Sequence, residues 1–260
     1  MTKTVTTTVH VHGQQLELEG IARAPVKRRG RGGARAGAGR KRAPGARSSV
    51  PHRPRPKHVG RHPVLVTLRA RRGLPSLRAE LVNDMLRKIL HGQRRGRRYS
   101  KVFQVVEFTI QDDHLHFIVE ATGVIATGMV DAPDALRSGV SGLVISFAKR
   151  LNKLLSRRGK VWGDRFHTRE LGSPTEVRSA LVYVFRNVAR HGAFLYGHDM
   201  VDQLSSAPRF RRWRAPVLDI HGDAALWPHA PPKTWLLERG WWTRTRQGLL
   251  DPSEARRRGD

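Results

Sequence analysis

Two histidines separated by one residue stand at the start of an apolar run, in the stretch DDHLHFIVEATG that begins at Asp112. Side chains alternate between the two faces of a β-strand, so His114 and His116 point to one side and Leu115 to the other. Two imidazoles at this spacing can share one cation. Such a pair also occurs as a surface or hydrogen-bonded feature of a strand, and the spacing alone does not separate the two interpretations.

A second histidine pair, His10 and His12, lies in VHVHG near the amino terminus. It has no strongly apolar strand to hold it rigid, and a metal ligand needs a fixed backbone, so the later pair is the better candidate. The chain has no cysteine, which excludes disulfides, cysteine zinc sites and a thiol nucleophile. Its chemistry must use oxygen and nitrogen groups.

Tyr183 and Asn187 lie four residues apart in SPTEVRSALVYVFRNVARHG, the best-marked helix of the chain. Ser173 and Glu176 form a capping box around Pro174 at the first helical position. Residues four apart are neighbours on a helix, so Tyr183 and Asn187 share a flank. A tyrosine there is ordinarily a half-buried packing residue, but a histidine pair on a neighbouring strand makes a functional role more plausible. The apolar stripe is expected at Val177, Leu181, Val184 and Val188.

The elements that must position these residues begin at His62. Strands are predicted in HPVLVTLRA, KVFQVVEFTIQ, HLHFIVEATG and WGDRFHTREL, with a tight turn between the second and third. One helix is predicted in LPSLRAELVNDMLRKILHG, with an apolar stripe at Leu77, Leu81, Met85 and Ile89. A second helix is predicted in ALRSGVSGLVISFAKRLNKLLSRRG, with an apolar stripe at Leu136, Val140, Leu143, Phe147, Leu151 and Leu154. Together with the capped helix, this order is typical of an α+β fold with a ferredoxin-like antiparallel sheet and packed helices.

The flanking segments differ in composition from this core. Residues 1–61 are expected to form a basic, largely disordered arm, with a short hairpin around Gly13. Residues 62–195 form the predicted folded domain, and residues 196–260 an irregular extension rich in arginine and tryptophan. Five of the six tryptophans lie beyond Arg212. Packing against the domain is expected for most of them, and base stacking between arginines is the alternative.

The charge balance predicts a polyanionic partner. Lysine and arginine number 49 against 21 acidic residues, for a formal net charge of +28 and a pI near 11.8. Nucleic acid is the first candidate, because an anionic membrane would call for a basic amphipathic helix or an anchor, and neither is recognisable. No apolar run approaches about 20 residues and the amino terminus lacks a secretory core, so a cytoplasmic, nucleoid-associated protein is expected.

The core, over about residues 62–192, resembles the REP-associated tyrosine transposases of the single-tyrosine HUH superfamily. The shared features are the histidine pair after an acidic turn, a W-x-x-R-[FY] segment at residues 162–166, and a final helix reading Y-V-x-x-N-x-x-[KR]-H from Tyr183.

The resemblance implies a metal-dependent enzyme that cuts and rejoins single-stranded DNA at hairpin-forming or palindromic repeats. In that family Tyr183 would be the nucleophile, forming a 5′-phosphotyrosine and a free 3′-hydroxyl. His114, His116 and Asn187 would hold Mg²⁺ or Mn²⁺. The DNA-binding residues expected around them are Arg165, His167, Arg169, Lys149, Arg150, Arg157 and Arg158. A homodimer is compatible with the resemblance, since related enzymes act as dimers or monomers.

Two other functions fit the same sequence. A nucleic-acid-binding regulator that keeps the same fold without cutting DNA fits the basic composition and the basic arm equally well. For the enzyme, a phenol has an unperturbed pKa near 10 and needs a nearby cation or base to attack at neutral pH. A replication-type HUH nickase shares the chemistry, although no helicase segment is recognisable.

Overall fold

The computed structural model describes residues 4–11, 14–21, 57–94, 102–125, 128–129, 132–190, 201–220 and 230–255. The chain divides into two compact units, residues 1–48 and 49–260. In the first unit, β1 (Thr4–Val11) and β2 (Gln14–Ile21) pair antiparallel. This confirms the hairpin expected around Gly13. Residues 22–56 of the predicted arm lie outside the described residues, and the boundaries expected after residues 61 and 195 stay predictions.

The second unit contains the predicted order of strands and helices. The elements are β3 (Val64–Arg69), α1 (Glu80–Arg94), β4 (Phe103–Ile110), β5 (His114–Ala121), the short pair β6 (Val124–Ile125) and β7 (Gly128–Met129), α2 (Ala132–Leu154), β8 (His167–Glu170) and α3 (Pro174–Arg190). No described helix is long and apolar enough to cross a membrane.

Four strands form one sheet in the order β4, β5, β3, β8, with every neighbouring pair antiparallel. The strand order and the all-antiparallel pairing confirm the α+β, ferredoxin-like class. The tight turn expected at Asp112 and Asp113 joins β4 to β5, where the Gln111 backbone N–H donates to the His114 carbonyl over 2.9 Å. This turn sets the register that places the histidine pair.

The sheet separates two apolar cores. One face carries side chains such as Val66 and Phe117 and packs under α1 and α2, where the Phe117 and Phe147 rings stack with centroids 6.1 Å apart. The other face packs under α3 and the C-terminal extension, through residues such as Ile118 and Leu181. Because both faces are covered, any polar side chain on the central strands must find a partner inside the protein.

The apolar stripe of α1 differs from the predicted one. Leu81 is 70% exposed, whereas the buried apolar positions in the helix are Val82, Leu86, Ile89 and Leu90. The helix begins at Glu80, so the buried Leu77 belongs to the turn before it and cannot set the phase of the helical stripe. In α2, Val140 to Leu151 of the stripe are buried and Leu154, at the helix end, is 39% exposed.

The C-terminal extension is more regular than expected. A helical segment is π-helical over Leu236–Gly240 and continues as α4 (Trp241–Thr243). The buried Glu120 carboxylate on β5 accepts hydrogen bonds from the backbone N–H of Lys233 and Thr234, at 2.9 and 2.8 Å, and from the Thr234 hydroxyl at 2.7 Å. One strand carboxylate therefore holds the start of this segment on the sheet.

A second buried carboxylate, Asp202, fixes the beginning of the described extension. Arg78 donates to it through both terminal nitrogens, at 3.1 and 2.9 Å, and also donates to the Ile110 carbonyl at 2.7 Å. The Thr109 hydroxyl donates to the same carboxylate over 3.3 Å. Charge-assisted and bidentate bonds of this kind fix orientation as well as proximity.

The tryptophans of the extension have different environments. Trp241 is fully buried, and the half-buried Trp213 donates its indole N–H to the Ala207 carbonyl over 2.8 Å. These two pack against the domain as expected. Trp235 is 51% exposed, and Trp227 lies outside the described residues.

We expect Glu120→Ala to lower the free energy of unfolding by at least about 2 kcal/mol, because three donors of the extension lose a buried charged acceptor. Urea denaturation measures this change. Asp134→Asn, which alters an exposed carboxylate paired with Arg137 on α2, is the control and should stay within about 0.5 kcal/mol of the parent. Equal stability of the Glu120→Ala and Asp134→Asn variants would show that the contact does not hold the extension.

Candidate active site

A row of four side chains crosses the sheet on the face covered by α3. Register places Thr109 of β4 opposite His116 of β5, His116 opposite Thr67 of β3, and Thr67 opposite His167 of β8. A β-bulge between Val105 and Glu107 shifts the alternation of β4 by one residue. Without that shift, Thr109 would point into the other core.

His116 is the centre of this row and is 1% exposed. Its Nδ1 lies 3.0 Å from the Thr67 hydroxyl, and its Nε2 lies 3.4 Å from the Tyr183 hydroxyl. The His116 and Tyr183 rings meet edge to face, with centroids 5.0 Å apart. When Nδ1–H donates to Thr67, Nε2 is the acceptor that faces the phenol. The structure therefore brings the predicted nucleophile and one predicted ligand together.

His114 lies beside His116, with ring centroids 4.7 Å apart and planes at 82°. Its Nδ1 is 2.6 Å from an Asp113 carboxylate oxygen, and the second oxygen of Asp113 is bound by Arg69 at 3.0 Å. The hydrogen bond from His114, with further help from Arg69, lowers the pKa of the Asp113 carboxyl. Asp113 is therefore ionised at neutral pH and fixes the orientation of the His114 ring.

Helix α3 carries Tyr183 and Asn187 on the same side of the sheet as the histidines. The predicted capping box is present, since the Ser173 hydroxyl donates to the Glu176 carboxylate at 3.1 Å and accepts the Glu176 N–H at 3.3 Å. Val177, Leu181 and Val184 of the predicted stripe are buried, and the Val188 side chain lies outside the described residues. Tyr183 is half-buried, and Asn187, one turn further on, is 2% exposed.

The surroundings of the two histidines suit a divalent cation. Metal-ligating histidines commonly donate the second ring N–H to a carboxylate or another fixed oxygen, which sets the tautomer and the ring orientation. Asp113 and Thr67 supply those oxygens at Nδ1 of His114 and His116. Within the described part of the chain, no cluster of three or more histidine, aspartate or glutamate side chains could hold a metal ion, so an amide such as Asn187 or substrate oxygens would have to complete the site.

Three of the predicted DNA-binding residues lie at the β8 edge of the same sheet. His167 is exposed and stands in the row with Thr67 and His116. Arg169 pairs with Glu176 at 3.5 Å, and Arg165 is exposed in the loop before β8. Their position gives the histidine and tyrosine cluster a basic edge.

The other four predicted DNA-binding residues belong to α2 and the turn after it. Lys149 and Arg150 are exposed on α2, which packs on the face of the sheet opposite α3. Arg157 donates to the Asn152 side-chain oxygen at 2.8 Å and so helps to close the turn, and Arg158 is exposed beside it. The structure does not gather these four around Tyr183, and their contact with DNA stays a prediction.

Sequence reasoning missed several buried polar residues near the row. Glu107 lies on the α3 face opposite Ile118, and its Oε2 has no hydrogen-bond partner within the described residues. Burial raises the pKa of Glu107 from an ordinary 4.5 to about 8. Gln111 donates to the Thr109 hydroxyl over 2.8 Å. The sequence does carry a signal for the role of Asp113, because a carboxylate directly before a histidine can orient the imidazole ring. Sequence analysis alone places Asp113 only in the turn.

Comparisons with known proteins show a likeness to solved structures. No protein-family model matches the chain, and no curated protein matches it. Among solved structures, the chain is similar to a REP-associated tyrosine transposase bound to a REP hairpin, at 18% identity and a TM-score of 0.43, over 62% of this chain and 84% of that one. At this level of likeness, function has to be inferred from the side chains themselves.

The buried acid Glu107 predicts a pH dependence of stability. Between pH 4.5 and about 8 the folded protein keeps a proton on Glu107 that the unfolded chain has released, so the free energy of unfolding should fall as pH rises through this window. Glu107→Gln keeps the shape and removes the titration. We expect urea denaturation at pH 5 to 8 to give a flatter profile for this variant, whereas exposed Glu80→Gln should keep the parental slope. Identical slopes for all three proteins would contradict this assignment.

Proposed function

We propose that this protein is a metal-dependent single-stranded DNA transposase or endonuclease that cuts and rejoins strands through a phosphotyrosine at Tyr183. The observation that carries the proposal is the 3.4 Å contact between the Tyr183 hydroxyl and Nε2 of His116, next to His114. A regulator that only binds nucleic acid has no need of a phenol aimed at a paired imidazole cluster.

In the proposed cut, the phenol oxygen of Tyr183 attacks a backbone phosphorus. A P–O bond to tyrosine forms and the P–O3′ bond breaks. The 3′ oxygen leaves with the bonding electrons and gains one proton, which balances the proton lost by the phenol. The products are a 5′-phosphotyrosine and a free 3′-hydroxyl. Because the ester keeps the energy of the broken bond, a second 3′-hydroxyl can reverse the step and join a new strand.

His114, His116 and Asn187 are the residues that would hold the cation, and Mg²⁺ or Mn²⁺ would neutralise charge that develops on the phosphoryl oxygens. Imidazole is a softer ligand than Mg²⁺ usually takes, so substrate oxygens would strengthen its binding. Thr67 and Asp113 orient the two rings. The protein itself supplies the fixed nucleophile and the fixed ligands, which is where orientation lowers the barrier.

Single-stranded DNA with hairpin or palindromic repeats is the proposed substrate, following the family resemblance. Arg165, His167 and Arg169 would contact its phosphates at the β8 edge, and His167 stands in the same cross-strand row as His116. The basic arm, with the charge of +28 over the whole chain, would add attraction without sequence preference.

A non-catalytic nucleic-acid-binding regulator is the second candidate. The specific observation in its favour is that the described residues contain no three-member histidine and carboxylate cluster for a metal. Such a protein would bind DNA with an affinity that falls steeply with salt and does not respond to a chelator.

Tyr183→Phe should abolish a denaturant-resistant adduct with hairpin-tailed single-stranded oligonucleotides in Mg²⁺ or Mn²⁺, because the nucleophilic oxygen is gone. Denaturing gel electrophoresis of labelled oligonucleotide measures the adduct. Tyr196→Phe is the matched control, since it removes the same group from one of the chain's other tyrosines, and it should retain the parental yield. An adduct that persists in Tyr183→Phe and vanishes in Tyr196→Phe would show that the nucleophile is wrongly assigned.

Thr67→Val removes the oxygen at His116 Nδ1 and preserves the side-chain shape. We expect about a 10- to 100-fold loss of Mn²⁺ affinity, the usual effect of losing an outer-shell partner of a ligating histidine. Electron paramagnetic resonance of free Mn²⁺ during titration measures the affinity. Thr67→Ser, which restores the hydroxyl, should recover most of it; unchanged Mn²⁺ binding in the valine variant would argue against His116 as a ligand.

A further inference from the structure

A row of alternating tryptophans and arginines lies on the C-terminal extension. Arg239 lies four residues after Trp235 and three before Trp242 along the helical segment. Arg212, from an earlier loop, places its guanidinium carbon 5.0 Å from the centroid of the Trp242 ring. Trp235, Arg239, Trp242 and Arg212 are called the Trp/Arg row below.

The members of the Trp/Arg row are accessible. Trp235 is 51% exposed and the Arg239 side chain 65% exposed, while Arg212 is exposed and Trp242 half-buried. The Trp235 indole packs against the backbone of Gly240, where a side chain would not fit, because a Cβ added to Gly240 would lie 2.7 Å from the ring. The row therefore differs from the neighbouring Trp241, which is completely buried in the core.

The row is held rigidly from beneath. Glu120 accepts the backbone N–H groups of Lys233 and Thr234, directly before Trp235. Trp241 packs into the core under α3, and its indole donates to the Leu237 carbonyl over 3.0 Å. An aromatic surface that is fixed before binding loses little conformational entropy when a ligand stacks on it.

The surroundings of the row are strongly basic. Backbone hydrogen bonds join residues 212 and 214 to Leu250, at 3.3 and 2.7 Å, which pairs the arginine-rich loop with the stretch of chain that follows the helical segment. The exposed arginines of these two stretches, besides those of the row, are Arg211, Arg214, Arg244 and Arg246. Glu238, the exposed acid of the segment, lies 3.8 Å from Arg239.

We propose that the Trp/Arg row binds unpaired nucleic acid, with bases stacked on Trp235 and on the Arg212 and Trp242 pair and with phosphates bound by the surrounding guanidinium groups. Alternating aromatic and cationic side chains on a basic surface suit a strand whose bases are not stacked on each other. A lipid surface fits less well, because Leu236, Leu237 and Trp241 face the core and leave Trp235 as the exposed apolar group of the row. This binding does not require cleavage, metal or Tyr183.

Fluorescence anisotropy of the full chain with a labelled oligothymidine of about 12 nucleotides, at low salt and with a chelator present, tests this surface. We expect Trp235→Ala to weaken binding about 5- to 150-fold, the range for loss of one stacked base, and Trp235→Phe to restore most of the affinity. Ile145→Ala, which trims an exposed apolar side chain of α2, should leave binding unchanged. Because the chelator removes the cation that the proposed cleavage needs, binding measured in this way is separate from the proposed cleavage.

An abasic strand of equal length distinguishes stacking from charge. It should bind the parent and Trp235→Ala equally, because only the phosphate contacts remain. Equal oligothymidine affinity of the parent and Trp235→Ala would overturn the proposal. So would Trp235-dependent binding to phosphatidylglycerol vesicles with no Trp235 dependence on the oligonucleotide, which would assign the surface to a membrane.

Discussion

A histidine buried at the centre of a sheet needs hydrogen-bond partners within the protein for both ring nitrogens. For His116 on β5, these partners come from β3 and α3, so three elements of the fold meet at one side chain. Nδ1 of His116 meets Thr67 on the neighbouring strand, and Nε2 meets Tyr183 on α3. A buried polar group without a partner costs about 1–3 kcal/mol. The packing of α3 on the sheet and the position of the phenol therefore depend on the same imidazole.

The sheet makes this arrangement available by keeping its two faces chemically different. The face under α1 and α2 is apolar, while the α3 face carries the row from Thr109 to His167 together with Glu107 and Glu120. The bulge in β4 puts Thr109 and Glu107 on that polar face. The C-terminal extension then covers part of it and leaves the β8 edge basic and exposed. Glu120 accepts donors of the extension, and Asp202 of the extension accepts Arg78 and Thr109.

Local patterns predicted much of this fold. The alternation in β5 placed His114 and His116 on one face, and the capping box at Ser173 set the start of α3 and hence the direction of Tyr183. Long-range contacts were less accessible. The orientation of His114 by Asp113 follows from the turn geometry, and the contact between His116 and Thr67 depends on a strand register that spans 49 residues. The expected α1 stripe wrongly included Leu81, because Leu77 precedes the helix and does not share its phase, whereas Ile89 is buried as predicted. The carboxylate bonds that order the extension leave no periodic signal.

The proposed cleavage requires that a cation at the histidine pair lie within reach of the phenol. Nuclear magnetic resonance of protein labelled with ¹³C only in its three tyrosines tests this directly, because Mn²⁺ broadens signals of nearby nuclei. Substoichiometric Mn²⁺ should broaden the Tyr183 ring signal, which is identified by its loss in Tyr183→Phe. The broadening should disappear when His114 and His116 are both replaced by alanine. A Tyr183 signal that stays sharp while Mn²⁺ binds, or that broadens equally without the histidines, would contradict the proposed cleavage.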